Sequence, residues 1–247
     1  MSSASSYSNL VQDLYIAYFG RPADYYGLAN FEAALAAAGA PTDAAGLAAA
    51  YSTNAAVKSL VDAFGTSAES ATLYGSGSTE SFVNAIFENL FNRPAAVAGL
   101  TFWVNAINSG QVSKGDAALA ILAGAESNTT TQGVADWTLI GNKVAVATNF
   151  TTDLGNSSTQ IVAYHGATAA QDARLLLAGV TTATVPATYD VQTTINNIVA
   201  GNTQNTFNLT TGVDTFVGGP GNNVFNAILD NATGLSAGGQ AATLQSF

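Results

Sequence analysis

Apolar residues recur at helical spacing through most of the first 200 positions, and near Gly201 the spacing changes to Thr-, Asn- and Gly-rich alternation. Val11, Leu14, Tyr15, Tyr18 and Phe19 share one helical face, and Val83, Ile86, Phe87, Leu90 and Phe91 repeat it. Pro22 and Pro94 predict the ends of these helices, because the residue before a proline is held out of the α region. Asp24 is placed to cap a second helix, and Gly39 and Gly110 to end second helices in the two segments. Thr42 or Asp43, and Ser113, are expected to open third helices carrying Leu47 and Leu119. Downstream, Trp137, Leu139, Ile140, Val144, Val146 and Phe150 predict a long helix over 136–153, and shorter ones are expected over 168–177 and 190–200. The Thr-, Val- and Pro-rich stretch 179–189 reads as loop or short strand.

The two early segments are copies. Residues 11–51 return as 83–123 at an offset of 72, the distance from Arg21 to Arg93. Phe19-Gly20-Arg21-Pro22-Ala23 becomes Phe91-Asn92-Arg93-Pro94-Ala95, Gly27-Leu28 becomes Gly99-Leu100, Phe31 becomes Trp103, and Leu35 becomes Ile107. Gly75-Ser76-Gly77-Ser78-Thr79 reads as the linker, with Glu80 in the first turn after it. The expected fold is mainly α, a duplicated helical module forming a multi-helix bundle over 1–200, with a second region over 201–247.

That second region carries a different repeat. Gly212-Val213-Asp214-Thr215-Phe216 is followed nine residues later by Gly221-Asn222-Asn223-Val224-Phe225, and with Gly218, Gly219 and Pro220 between them the second copy reads G-G-x-G-x-N-x-F-x. This is close to the nonapeptide of calcium-binding parallel β-rolls, in which glycines permit tight turns and Asp supplies a hard oxygen ligand. The calcium candidates are Gly212, Asp214, Gly219, Gly221 and Asn223. Ca²⁺ in such rolls lies between successive turns, so the pair predicts a partial site. A β-hairpin turn over 218–223 is the competing reading.

Composition narrows the partners. Of 247 residues 48% are apolar and only 9% charged, so Ser, Thr, Asn, Gln and Ala must build the surface. Such a surface suits contact with neutral sugars or with further copies of the chain. Six Lys and Arg residues against a net charge of −10 argue against nucleic acid and against an anionic membrane as partners. No cysteine is present, which fits a chain exported unfolded and stabilised outside by calcium and not by disulfides. The N-terminus has no Sec-type signal and no apolar run is long enough to span a bilayer, so export on this reading takes a signal outside the sequence.

The twice-used R-P-x-x-x-x-G-L pattern, which closes an apolar helix and precedes an aromatic, resembles the helical repeat of unknown function at the front of many type I-secreted bacterial surface proteins. Leu14, Tyr15, Arg21, Pro22, Asp24, Gly27, Leu28 and Phe31 carry the match in copy one, while copy two has Ala96 in place of the Asp. Asn142-Lys143-Val144-Ala145-Val146 resembles segments that follow such repeats, and Leu209 to Thr215 is similar to the entry into the RTX region of Gram-negative surface-layer proteins. The order of these parts resembles the N-terminal anchoring domain of an RTX-type surface-layer (S-layer) protein. The resemblance implies a secreted protein at the cell surface, attached to lipopolysaccharide through its O-antigen or core sugars, with calcium-dependent lattice assembly by following repeats. The alternative is a self-associating adhesin or lattice segment that binds no glycan.

Copy one has Tyr25-Tyr26 where copy two has Val97-Ala98. A flat exposed aromatic can stack on a sugar ring, and Arg21 and Asp24 beside the pair can bind hydroxyls, so these four are the polysaccharide candidates. The competing reading packs one Tyr on the helix pair and uses Arg21 and Arg93 to bond helix-end carbonyls. Phe19, Phe31, Phe91 and Trp103 are expected in the core. No catalytic residues are assigned and the chain is not expected to be an enzyme. His165 is the only histidine, no G-x-S-x-G elbow occurs, and Glu80 and Glu88 stand about 12 Å apart along one helix, too far for either glycosidase geometry.

Overall fold

The structure, a computed structural model, describes residues 2–202, so Gly212, Asp214, Gly219, Gly221 and Asn223, with the expected β-roll and its calcium site, lie outside the described residues. A 3₁₀ turn at Ala4–Tyr7 leads into α1 (Ser8–Phe19), α2 (Tyr25–Ala37), α3 (Ala44–Tyr51), α4 (Ala55–Gly65) and α5 (Ala68–Tyr74). Copy two follows as α6 (Thr79–Phe91), α7 (Val97–Asn108) and α8 (Ala117–Glu126). The remainder is α9 (Thr131–Leu154), α10 (Ser158–Ala163), α11 (Gly166–Ala178) and α12 (Gln192–Gly201). The described residues contain no strand, and the fold is mainly α.

The core forms around α1. Its sequence is apolar on nearly every side, and Leu10, Val11, Leu14 to Phe19 and even Gln12 are buried where α9, α6, α8, α2, α4 and α5 converge on it. A helix apolar all round is stable only in such a central position. The buried Gln12 is satisfied: its Nε2 donates to Thr151 Oγ1 at 2.9 Å and its Oε1 accepts the Ala23 N–H at 2.9 Å. The long helix α9 thereby locks onto the Pro22 turn, since Thr151 Oγ1 also donates to the Ala23 carbonyl.

The duplication persists in detail. Asn84, the counterpart of Gln12, accepts the Ala95 N–H at 3.0 Å, as Gln12 does for Ala23. Gly20 (φ 68°) and its counterpart Asn92 (φ 52°) both end their helices in the left-handed region, where Gly and Asn meet the least strain. Asp24 and Asp43 cap α2 and α3 by accepting the N–H groups of Gly27 and Gly46, each at 2.7 Å. Gly39 and Gly110 turn the chain out of α2 and α7 with positive φ.

Several expectations change. The third helix of copy two begins at Ala117 and not at Ser113, because Ser113 Oγ closes a separate turn by accepting the Asp116 N–H and donating to its carboxylate. The stretch 179–189 contains a 3₁₀ turn at Pro186–Thr188 and no strand. α4, α5 and α10 are helices that the apolar spacing did not single out; Asn54 precedes α4 and caps it, its Oδ1 accepting from the N–H groups of Ala56 and Val57. Gly201, taken as the boundary, is the last helical residue of α12. No helix among the described residues is long and apolar enough to cross a membrane.

Candidate functional site

Arg21 leaves the end of α1 and turns inward. Its guanidinium lies over the rings of Tyr15, Phe19 and Tyr164 at 5.2, 5.4 and 5.5 Å, and meets Glu69 of α5 through Nε at 2.8 Å and Nη2 at 2.6 Å. Arg174 of α11 adds a second cation to the same carboxylate, Nη2 to Glu69 Oε1 at 2.6 Å. Arg93 repeats the arrangement in copy two, over Phe87 and Phe91 and paired with Asp136 at 2.6 Å. The expectation that these arginines chiefly bond helix-end carbonyls is therefore corrected. Each reaches the carbonyl of its own following proline, but its planar fork is engaged by a carboxylate. The helix-end carbonyls go to other cations: Arg174 Nε bonds Phe19 O at the end of α1, and Lys143 Nζ bonds Asn89 O near the end of α6.

Asp24 is committed on both oxygens, Oδ1 to the Gly27 N–H and Oδ2 to the Tyr15 hydroxyl at 3.2 Å. A Cβ at Gly27 would sit 2.1 Å from that hydroxyl, which explains the glycine. Copy two has Phe87 and Ala96 at these places and no side-chain cap on α7. Tyr25 and Tyr26 follow Asp24 at the start of α2, 41% and 63% exposed, with rings edge to face at 5.4 Å. Tyr25 also lies against Gly155 at the end of α9, so it is partly packed while Tyr26 projects.

Arg21, Asp24, Glu69, Tyr164, His165 and Arg174 converge on a cleft of about 360 Å³ between copy one and the α10–α11 corner, with small apolar walls from α5 and α11. A neighbouring cleft of about 330 Å³ shares Arg174 and contains Lys143, Glu88 and Asn92. Three of the six basic residues, Arg21, Lys143 and Arg174, thus line one seam, although along the chain they form no patch. Burial pushes the Tyr164 hydroxyl up to about 12 and keeps it protonated, donating to Pro22 O at 3.0 Å. Burial pulls the Lys143 ammonium down to about 7.

Of the four sugar candidates, the structure brings Arg21 and Asp24 into the cleft and leaves the two tyrosines exposed next to Asp24 in the chain. Glu69, Tyr164, His165 and Arg174 were missed. The one available signal was that charges are so few in this chain that a Glu and an Arg outside the repeats required partners. Among the described residues no group of three or more His, Asp or Glu is placed to hold a metal.

The profile of DUF4214, a domain of unknown function, matches residues 61–131. The match runs from within α4 across the whole of copy two to the first residue of α9; it includes the α5 wall of the cleft and leaves out copy one and the cleft residues from Tyr164 to Arg174. No curated protein and no solved structure matches the chain.

Proposed function

We propose that this chain is a non-enzymatic structural module that anchors a secreted surface-layer protein to a Gram-negative outer membrane by binding lipopolysaccharide, through O-antigen or core sugars. The observation that carries the reading is the exposed Tyr25–Tyr26 pair, held edge to face and following Asp24 in the chain, with Asp24 itself lining a cleft of hydrogen-bonding side chains on a protein with few charges. Aromatic faces with fixed donors and acceptors are what a hydroxyl-rich, uncharged ligand requires. Each contact is weak, and a lattice of many subunits makes attachment durable through effective concentration. Calcium, on this reading, serves the repeats at 212–226 and the assembly of the lattice.

The test is binding of the chain to purified lipopolysaccharide, compared with O-antigen-deficient material. Retention that weakens on loss of O-antigen, and in the variant Y25A/Y26A, supports the reading. Equal lack of binding to both, with and without calcium, removes it.

A second reading, contact between copies of the chain without glycan, is favoured by α7. That helix carries no charged residue, packs chiefly on α6, and leaves Val97 and Phe102 exposed at 82% and 60%. Its test is sedimentation of the wild type against F102D: concentration-dependent oligomers that F102D abolishes, without any affinity for glycan, would favour it.

A further inference from the structure

The cleft at the corner of α5, α10 and α11 is more specific than a general sticky surface. Its floor is an ion triad in which the groups are already matched. Glu69 Oε1 accepts from Arg21 Nε and Arg174 Nη2, Glu69 Oε2 accepts from Arg21 Nη2, and Arg174 Nε is held by Phe19 O at 2.8 Å. The triad is partly open to solvent, with side-chain exposures of 13% for Arg21, 19% for Arg174 and 24% for Glu69. With Asp24 on the rim, two guanidinium groups face two carboxylates, so the cleft offers no uncompensated charge to a charged ligand. It offers instead the fixed guanidinium and carboxylate groups of the triad and the Thr72 hydroxyl, which donates to Ala68 O and keeps lone pairs to accept further bonds, while the Tyr164 hydroxyl is already engaged, donating to Pro22 O and accepting from Arg21 Nη1 at 3.4 Å. Leu73, 38% exposed, and Ala167 and Ala170 supply an apolar wall.

We infer that this cleft is a binding subsite for one neutral, hydroxylated sugar ring, with Arg174 and Glu69 as its principal hydrogen-bonding groups and the α11 alanines under its C–H face. The inference rests on the polysaccharide reading above and narrows it to one place and one class of ligand. A volume of about 360 Å³ is at the small end of the roughly 300–1,000 Å³ typical of small-molecule sites, which suits a single ring of a longer chain. Because the triad also ties α1, α5 and α11 together, its geometry is fixed before ligand arrives, and little ordering opposes binding.

The experiment uses the full chain, an array of purified neutral and acidic bacterial O-polysaccharides and core oligosaccharides, and the blocking variant A167W, which places a bulky side chain in the cleft from an exposed position on α11 and leaves the three residues of the triad unsubstituted. His165 lines the cleft and is the only histidine of the chain, so its ring proton signal is a unique reporter. The expected result is binding to a neutral glycan, at least tenfold weaker in A167W at unchanged melting temperature, with a shift of the His165 signal on titration and little change between 50 and roughly 500 mM salt. Binding that A167W leaves intact, with a silent His165 signal, overturns the subsite while the anchoring reading stands. Preference for acidic glycans, lost with added salt, overturns the neutral class. Absence of binding to every glycan overturns both readings together.

Discussion

Asn89 donates through Nδ2 to the carbonyl oxygen of Ala17 at 3.2 Å, and the two residues hold the same place in the two copies, 72 positions apart. The same Nδ2 bonds the Tyr74 hydroxyl at 3.0 Å, so one amide joins α6 to α1 and α5. The contact needs an absent side chain: a Cβ at Gly20 would come within 2.5 Å of Asn89 Oδ1, and Gly20 is also left-handed. The variant G20A is therefore expected to lose about 2–3 kcal/mol, against about 1 kcal/mol for G39A, where φ is also positive but nothing stands within 4 Å. Urea denaturation of both variants checks the difference, and N89A should relieve part of the G20A deficit.

The Arg93–Asp136 pair predicts an asymmetric truncation result. Asp136 is 9% exposed in its side chain and Arg93 33%, so R93A leaves a nearly buried carboxylate with only the Gln132 amide as donor. R93A should cost about 2–3 kcal/mol, and the double variant R93A/D136A less than the sum of its parts. The exposed Lys58–Asp62 pair should show no measurable effect when broken. A double-mutant cycle by thermal denaturation measures all three.

Asp13 on α1 has one oxygen, Oδ1, shut off from solvent without a hydrogen-bond partner, and burial, aided by Glu126 of α8, pushes its pKa up to about 8. The folded state keeps a proton that the unfolded state gives up near 3.8, so stability from this group is full below about pH 4 and falls as pH rises toward 8. D13N should remove that slope and be on the order of 1–3 kcal/mol more stable than wild type at pH 8, with little difference at pH 4. Melting temperatures across that range decide it.

Lys143 gives the opposite slope in another window. Its folded pKa of about 7 lies below the ordinary 10.5, so its contribution is lost as pH falls from 10.5 to 7 and recovers as pH rises. K143M should flatten the rise in stability between pH 7 and 10. At pH 10 it should also destabilise, because Asn89 O and Asn92 Oδ1 lose their donor, and that deficit should shrink toward pH 7, where the cost of the buried ammonium is removed with it. Chemical denaturation at pH 7, 8.5 and 10 separates the two effects.

The order of helices was largely legible because it is written in short-range signals. Asp24 and Asp43 cap α2 and α3, and 136–153 lies inside α9, since capping and apolar period act within a few residues. Ser113 misled because a Ser side chain can close an isolated turn as readily as it opens a helix. The partners of the arginines were not legible. Arg21 finds Glu69 48 positions away, and Glu69 finds Arg174 a further 105 away, distances at which no local rule applies.

From the sequence alone came the duplication, the helical class of the first 200 residues and the scarcity of charge, all of which follow from local spacing and composition. Tertiary structure alone decided that α1 sits at the centre, that three of six basic residues share one seam, and that Arg21 belongs to a cleft and not to a helix end. The reason is that pairing among buried or half-buried charges is set by which helices touch, and helix contacts depend on packing between segments far apart in the chain.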